Sequence, residues 1–216
     1  MTTGVQASLF DAIDHTAPTG AASSSLGRLD AGVVHHRLTR GAWVDVRPGW
    51  VSGSLAVFDA LRTDVPWRAE QRQMYERMLP VPRLLSFYDR GAPLPHPLLA
   101  RARDELSRHY RACLPEGFAT SGLALYRDGA DSVAWHGDRI GRSRDTDTLI
   151  AIVSLGSPRT LLMRPRGGGS SRKFVLGSGD LLVMGGSCQR TWDHAVPKAA
   201  GAGPRISVQF RPHGVR

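Results

Sequence analysis

The carboxyl-terminal half of the chain, from Gly122 onwards, consists of short apolar runs that glycine and proline separate. Runs of this length between turn-forming residues are typical of strands. Eight runs qualify: Gly122–Tyr126, Ser132–His136, Thr148–Ser154, Thr160–Arg164, Lys173–Leu176, Asp180–Met184, Thr191–Val196 and Arg205–Phe210. The gaps leave no room for the helices that a parallel α/β sheet needs, so the pattern predicts a jelly roll or a barrel.

A segment with clear helical periodicity precedes these strands. Between Pro97 and Cys113, apolar residues recur at spacings of three and four, and charged residues fill the opposite face. Pro97 suits the first turn of a helix, and Pro115 and Gly117 end the pattern. The predicted fold class is therefore α+β and mainly β, with a jelly-roll core buttressed by N-terminal helices.

A second, shorter helix is predicted over residues 54–61. Ser54 is placed to act as its N-cap. Leu55, Phe58 and Leu61 recur at spacings of three and share one face of this helix. We expect that face to pack against the core.

The 216 residues suffice for one substantial domain, and no internal repeat divides them. Residues 1–30 are rich in alanine, serine, threonine and glycine, which predicts a flexible tail or a segment partly draped on the domain. Residues 31–216 then form the domain itself. Within it, residues 63–96 hold many prolines and aromatics, a composition that we interpret as a loop or lid.

The chain is strongly basic, with a net charge of +9 and a pI of about 10.7. Such a surplus favours a polyanionic partner such as nucleic acid. Lys173 and Lys198 are its two lysines, so arginine, whose fork suits phosphates and carboxylates, carries nearly all of the positive charge. A GC-rich genome would also enrich arginine, so charge alone leaves the partner open.

The two cysteines, Cys113 and Cys188, form neither a disulfide framework nor a zinc site by their spacing. We expect free thiols in a reducing compartment. Apolar runs fall short of the roughly 18 residues that a membrane helix needs, and residues 1–14 lack the pattern of a signal peptide. The expectation is a cytoplasmic monomer that does not contact a membrane.

The first candidate chemistry lies at His136 and Asp138, whose spacing of two places both side chains on one face of a strand. His194, in another predicted strand, completes a set of two imidazoles and one carboxylate. On one face of an iron ion, such a set leaves three positions for a bidentate co-substrate and dioxygen. The spacing alone is weak in a chain with eight histidines, and hydrogen-bonded sheet histidines are the alternative.

Arg205 and Arg211 are six residues apart in the last predicted strand and therefore lie on the same face. An arginine that points into a barrel needs an anion, and a dicarboxylate provides two. The guanidinium fork matches the shape of a carboxylate end. A solvated charge near the carboxyl terminus is the alternative for Arg211.

In this order, the residues resemble the AlkB family of alkylation-repair dioxygenases. That family shows Y-x-D-G, W-H-x-D, a distant H, and R-x-x-x-x-x-R. The matching residues here are Tyr126-Arg127-Asp128-Gly129, Trp135-His136-Gly137-Asp138, His194, and Arg205 to Arg211. The match covers about residues 120–212. Upstream, Pro82-Arg83-Leu84 with Tyr88 is similar to part of the family's nucleotide-recognition lid, which is a weaker match.

The resemblance implies a double-stranded β-helix fold and an enzyme that uses Fe(II), O2 and 2-oxoglutarate. Its reaction would be the oxidative dealkylation of bases such as N1-methyladenine and N3-methylcytosine in DNA, with release of an aldehyde. His136, Asp138 and His194 would hold the iron and form the catalytic set.

The resemblance also implies a co-substrate site. Arg205 would bind the distal carboxylate of 2-oxoglutarate, Arg211 would help with the carboxylate near the metal, and Tyr126 would donate a hydrogen bond. One departure from the family pattern affects this site. Ala124 stands where family members often carry an asparagine that contacts 2-oxoglutarate.

For the substrate, the resemblance implies that the ring of His136 forms one face of the base pocket. A base must leave the duplex, or be single-stranded already, to reach a buried iron, and it needs a second stacking face. Tyr88, with Trp67 behind it, is our candidate, and Arg83 belongs to the same lid. Ile140 stands where many members carry an acid that helps to select the damaged base, which leaves the substrate range open.

Arg164 and Arg166 begin a basic, glycine-rich loop that ends at Lys173. It could lie along phosphates, and it reads equally as an ordinary charged hairpin. Three other functions stay open: the same oxidation on RNA, a small molecule or a protein; a catalytically silent protein that binds damaged DNA; and an unrelated cupin-like barrel that binds zinc or manganese.

Overall fold

The computed structural model of the chain describes residues 23–74, 77–138 and 145–215. Its strands are β1 (Ser25–Leu26), β2 (Val34–Arg37), β3 (Ala42–Arg47), β4 (Val51–Ser52), β5 (Arg68–Met74), β6 (Arg77–Tyr88), β7 (Thr120–Tyr126), β8 (Val133–His136), β9 (Ile150–Gly156), β10 (Arg159–Pro165), β11 (Arg172–Leu176), β12 (Leu181–Gly186), β13 (Trp192–Val196) and β14 (Arg205–Arg211). The helices are α1 (Ser54–Asp64), α2 (Pro97–His109), the four-residue α3 (Cys188–Thr191) and a 3-10 turn, Thr39–Gly41.

Two antiparallel sheets form the body of the protein. The major sheet has eight strands in the order β2-β3-β12-β9-β14-β7-β6-β5, and the minor sheet has four in the order β11-β10-β13-β8. β1 pairs separately with β4. This arrangement confirms the predicted mainly β, jelly-roll class. Within the described ranges, no helix has the length and apolar character that crossing a membrane requires.

The two faces of the major sheet pack against different partners. On the outer face, residues such as Val153 and Val208 pack against α1 and α2, through side chains that include Leu61 and Leu106. On the inner face, the alternate residues of the same strands pack against the minor sheet through side chains such as Met163. Strand alternation therefore separates a helix-covered core from a core between the sheets, and the predicted helical buttress is confirmed.

All eight strands predicted from Gly122 onwards are present, with ends that differ by at most two residues. The predicted helix from Pro97 is also present, with proline in its first turn. Its N-cap is His96, whose ring nitrogen Nδ1 accepts a hydrogen bond from the N–H of Leu98 at 3.1 Å. The helix ends at His109, four residues before the predicted end at Cys113.

The predicted short helix differs from α1 in its cap and its buried face. The N-cap is Gly53, in the left-handed region with a φ of 65°, and the hydroxyl of Ser54 instead hydrogen-bonds that of Ser178 at 2.8 Å. Leu55 is exposed, and Val57 occupies the buried face with Phe58 and Leu61. A spacing of three drifts off a face with a true period of 3.6 residues, so the position of Leu55 was predicted wrongly.

The interpretation of residues 63–96 as a loop was wrong for most of that segment. β5 and β6 form an antiparallel hairpin, and residues 84–88 of β6 pair with β7 at the edge of the major sheet. Pro80 and Pro82 lie within β6, and the register of the hairpin shifts between Ala69 and Gln71. Both prolines lie in the part of β6 that is not paired with β7, beside the edge strand β5 and its register shift, where prolines are tolerated.

The predicted tail, residues 1–30, is partly integrated into the domain. β1 pairs with β4, Leu29 is buried, and the carbonyl of Gly27 accepts a hydrogen bond from the indole of Trp50 at 2.9 Å. The domain therefore begins before the predicted boundary at residue 31. Residues 1–22 of the predicted tail lie outside the described residues.

Candidate metal centre and co-substrate pocket

His136, Asp138 and His194 converge between the two sheets, as the sequence predicts. One potential ligand atom from each lies within 4.8 Å of the other two. β8 and β13 pair so that His136 and His194 are directly opposite each other. Asp138 follows two residues after His136, and its carboxylate oxygens lie 3.9 Å from Nε2 of His136 and 4.0 Å from Nε2 of His194.

The electrostatics of this cluster favour the forms that bind metal. Burial raises the pKa of Asp138, but the nearby guanidinium of Arg211, with smaller contributions from the two histidines, outweighs burial and lowers the pKa to about 2. Burial lowers the pKa of His194 to about 3, and His136 acts in the same direction. At neutral pH, Asp138 is therefore a carboxylate and His194 a neutral imidazole, the states that metal ligation requires.

The donor set fits Fe(II). Two imidazoles and one carboxylate on one side of an ion are typical of non-heme iron sites that keep open positions. A structural zinc site, by contrast, closes its coordination with four protein ligands. Within the described part of the chain, this is the cluster of three or more potential ligand side chains that meets such geometry.

Arg211 lies beside the metal centre. Its Nη2 donates to Oδ2 of Asp138 at 3.4 Å, and its guanidinium also approaches Oε1 of Gln209 at 3.4 to 3.5 Å. The guanidinium passes over Gly122 of β7, where a Cβ atom would lie only 2.9 Å from Nη1. Its Nε is buried without a hydrogen-bond partner among the described residues. A side chain at position 122 would therefore compete with Arg211 for this space.

Arg205 lies at the other end of the inner face of β14 and is fully enclosed. Its Nε donates to the hydroxyl of Ser154 at 2.9 Å, and its guanidinium carbon lies 5.1 Å from the ring centre of Tyr126. Burial lowers the pKa of Arg205, and Tyr126 acts in the opposite direction. Among the described residues, Nη1 has no hydrogen-bond partner. A buried cation with an unpaired donor fits a carboxylate such as the distal one of 2-oxoglutarate.

Ser207 and Gln209, which were not among the predicted site residues, lie on this inner face between the two arginines. Ser207 is directly opposite Ala124 on β7, and its hydroxyl accepts a hydrogen bond from Nε2 of Gln209 at 2.8 Å. β14 therefore supplies hydrogen-bonding groups next to Ala124, whose methyl side chain has none. The signal was present in the sequence, since positions 205, 207, 209 and 211 are all polar and alternate along one strand.

Two residues predicted to contact the substrate lie away from the metal. Tyr88 pairs with Ser121, on the outer face of the major sheet, and packs with the helix-covered core. Trp67 packs against the same core, and its indole N–H donates to the carbonyl of Arg62 at 3.2 Å. Strand alternation turns Tyr88 to the face opposite the metal, and Trp67 precedes β5 and packs with the helix-covered core, so neither position supports the prediction that these rings stack on the base.

Phe87 is the aromatic residue of β6 that alternation turns toward the metal side. It pairs with Gly122, and its ring lies 3.9 Å from the position of a Cβ at that glycine, on the same side as Arg211. Its side chain is 46% exposed. The sequence pattern of β6 alone does not distinguish Phe87 from its neighbour Tyr88, because the register between β6 and β7 depends on the paired strand.

The remaining substrate candidates occupy three places. Nη1 of Arg83 donates to the carbonyl of Ser132, just before β8, at 3.3 Å. The guanidinium of Arg164 lies 4.2 Å above the ring of Trp135, and Arg166 pairs with Asp193 at 3.8 Å. The contacts of Arg164 and Arg166 are on the minor sheet, whereas the Arg83 contact joins β6 of the major sheet to the residue before β8. Ile140 lies outside the described residues.

Comparison with known proteins agrees with this site. A family model described as the 2OG-Fe(II) oxygenase superfamily matches residues 88–211. The alpha-ketoglutarate-dependent dioxygenase alkB homolog 3 of Mus musculus is 31% identical over 191 residues, which cover 76% of this chain and 64% of the mouse protein. The DNA oxidative demethylase ALKBH2 of Arabidopsis thaliana is 34% identical over 113 residues, which cover 41% of this chain and 36% of the plant protein.

A solved structure shows the same fold at low sequence identity. The structure of OsALKBH1 superposes with a TM-score of 0.58 and 13% identity, covering 83% of this chain and all of that one. This chain spans just under two thirds of the length of its mouse relative. The predicted resemblance to AlkB proteins is confirmed, as are the family's cofactors, Fe(II) and 2-oxoglutarate. Because the family model covers more than half of the sequence, the chain belongs to the 2OG-Fe(II) oxygenase superfamily.

Proposed function

We propose that the protein removes alkyl groups from nucleic-acid bases by oxidation, acting on lesions such as N1-methyladenine and N3-methylcytosine in DNA. The observation that carries this proposal is the cluster of His136, Asp138 and His194 beside the inner face of β14, which has an arginine at each end. The names of the relatives, alkB homolog 3 and DNA oxidative demethylase, support the nucleic-acid substrate.

When bound, Fe(II) with 2-oxoglutarate and O2 supplies the oxidation: 2-oxoglutarate is converted to succinate and CO2, one oxygen atom enters a C–H bond of the alkyl group, and the hydroxylated carbon leaves as an aldehyde. The protein has to hold the reactants in place and exclude competing targets. Arg205, with Tyr126 beside it, would bind the distal carboxylate of 2-oxoglutarate. Arg211, which contacts Asp138, would help to bind the carboxylate of 2-oxoglutarate that lies near the metal.

The base pocket has two exposed rings on the metal side. The side chain of His136 is 39% exposed and that of Phe87 is 46% exposed, whereas His194 is buried. A base that has left the helix can stack on such rings, and N1-alkylated adenine and N3-alkylated cytosine leave easily because they cannot pair normally. Phe87 therefore replaces Tyr88 as our candidate for the second stacking face.

Basic side chains beside the pocket would contact the phosphates. Arg164, over Trp135, and Arg166 lie on the minor sheet, and Arg83 lies where β6 approaches β8. The β5–β6 hairpin, which covers most of the predicted lid, would contribute to nucleotide recognition from the edge of the major sheet. Phosphate contacts fix position but carry no sequence information, so they would serve DNA and RNA alike.

The test is turnover on matched oligonucleotides. DNA and RNA strands that carry N1-methyladenine or N3-methylcytosine are incubated with Fe(II), 2-oxoglutarate and O2, and formaldehyde and succinate are quantified together. We expect equal amounts of both products with wild type and neither with His136→Ala. Succinate without formaldehyde would contradict the nucleic-acid substrate, and the absence of both from a folded protein would indicate a silent binding protein.

A matched pair of variants tests the base pocket. Phe87→Ala should raise the KM for a methylated oligonucleotide, because stacking contributes roughly 1–3 kcal/mol per base. Tyr88→Leu removes the aromatic ring on the outer face and should leave the KM of the folded protein unchanged. The opposite pattern would return the stacking role to Tyr88.

A further inference from the structure

The metal ligand Asp138 is held by a residue far away in the sequence. β8 ends at His136, so Asp138 lies two residues beyond the last paired residue of its strand. The backbone N–H of Asp138 donates to Oε1 of Gln189 at 3.1 Å. Gln189 is buried within α3, and its Nε2 contacts the sulfur of Met184 at 3.8 Å.

We propose that Gln189 is a positioning residue that sets the direction of the Asp138 carboxylate toward the metal, an inference that rests on the proposed function. A backbone N–H in a buried site is costly to leave unpaired, so the amide oxygen of Gln189 fixes the backbone at Asp138. Fixing the backbone limits the directions that the short aspartate side chain can take.

Gln189 can perform this role because α3 is itself firmly attached. The hydroxyl of Ser187 donates to the carbonyl of Arg40 at 2.6 Å, and the indole of Trp192 donates to the carbonyl of Thr39 at 3.3 Å. These contacts join both ends of α3 to the 3-10 turn that leads into β3. His194 follows α3 by three residues, and Gln189 of α3 bonds Asp138. The same short helix therefore helps to position two of the three metal ligands.

Arg190, the residue after Gln189 in α3, forms an ion pair with Asp147. Nε of Arg190 donates to Oδ1 of Asp147 at 3.0 Å. Both side chains are well exposed, and an exposed ion pair contributes little. Arg190 is therefore a matched control for Gln189: it is in the same helix, and its side chain bonds Asp147 and not the metal ligand Asp138.

The experiment uses the full chain and two readouts. Gln189→Leu removes the acceptor, Gln189→Glu keeps an oxygen at the same reach, and Arg190→Gln is the control. In metal-free protein, exchange of the Asp138 amide hydrogen, followed by NMR, should be faster in Gln189→Leu than in wild type, Gln189→Glu or Arg190→Gln. With Co(II) as a spectroscopic probe, Gln189→Leu should bind about tenfold more weakly, as expected for the loss of a group that orients a ligand.

The two readouts separate this proposal from the proposed function. Unchanged exchange at Asp138 in Gln189→Leu would overturn the hydrogen bond, and faster exchange with unchanged Co(II) affinity would overturn the positioning role. If Gln189→Leu fails to fold, Gln189→Asn, whose shorter side chain does not reach the amide, provides the same comparison. If wild type bound neither Co(II) nor Fe(II), the metal site and the positioning role would fail together, while a change in amide exchange would still establish the hydrogen bond.

Discussion

The two faces of β14 have opposite chemistry, although they belong to the same seven residues. The outer face presents Ile206, Val208 and Phe210, all completely buried under the helices. The inner face, formed by the alternate positions, carries only polar residues: Arg205, Ser207, Gln209 and Arg211. Full burial of one large apolar side chain stabilises a fold by about 1.5–3 kcal/mol, whereas a buried charge costs several. The outer face therefore stabilises the fold, and the inner face supplies the polar groups of the candidate site at some cost in stability.

The largest effect is expected on the outer face. Phe210→Ala should lower the free energy of unfolding by about 3–5 kcal/mol, because it removes a buried ring and leaves a cavity. Urea denaturation followed by circular dichroism measures this loss. Phe87→Ala, at the half-exposed ring on the other face, should cost about 1 kcal/mol or less. Equal losses for the two variants would contradict the assignment of stability to the outer face.

The inner face should give the reverse result. Arg205→Met replaces a buried cation with an apolar side chain of similar length, which is often neutral or stabilising. It should leave the free energy of unfolding unchanged or raised, and it should weaken 2-oxoglutarate binding by about 100-fold, as expected for a lost buried charge pair. Calorimetric titration of the Fe(II)-loaded protein measures the affinity. A destabilised variant with wild-type affinity would mean that Arg205 serves the fold.

A smaller effect concerns acid stability at His194. Burial lowers its pKa in the folded protein to about 3 from the ordinary 6.5, so the unfolded chain binds a proton at higher pH than the folded one. Acidification from pH 6.5 toward 3 therefore favours unfolding, by about 2 kcal/mol at pH 5. Urea denaturation of metal-free protein across this range should show the slope, and His194→Gln should flatten it. A slope that persists in the variant would assign the proton to another group.

The strands and the metal cluster could be predicted from sequence because their signals are local. Each strand after Gly122 is short and bounded by glycine or proline, and the spacing of His136 and Asp138 defines a face without knowledge of partners. The arginines on β14 follow the same rule of alternation. These predictions required only the period of an extended chain.

The rest depended on pairing that the sequence does not display. β6 contains two prolines, in the part that forms the hairpin with β5, and the choice between Phe87 and Tyr88 depends on the register of residues 84–88 with β7. A shift of one residue moves every side chain to the other face, so an error in register becomes an error in function. Gln189 lies in a four-residue helix that has no detectable period, and its contact with Asp138 spans 51 residues.

In the proposed function, His136, Asp138 and His194 hold an iron ion, and the inner face of β14 binds the 2-oxoglutarate that coordinates it. Anaerobic addition of Fe(II) and 2-oxoglutarate, followed by visible absorption, tests it without any assumption about the nucleic acid. We predict a charge-transfer band in wild type that is lost in His136→Ala and reduced in Arg205→Met at the same concentrations. A folded wild-type protein that shows no such band would contradict the account.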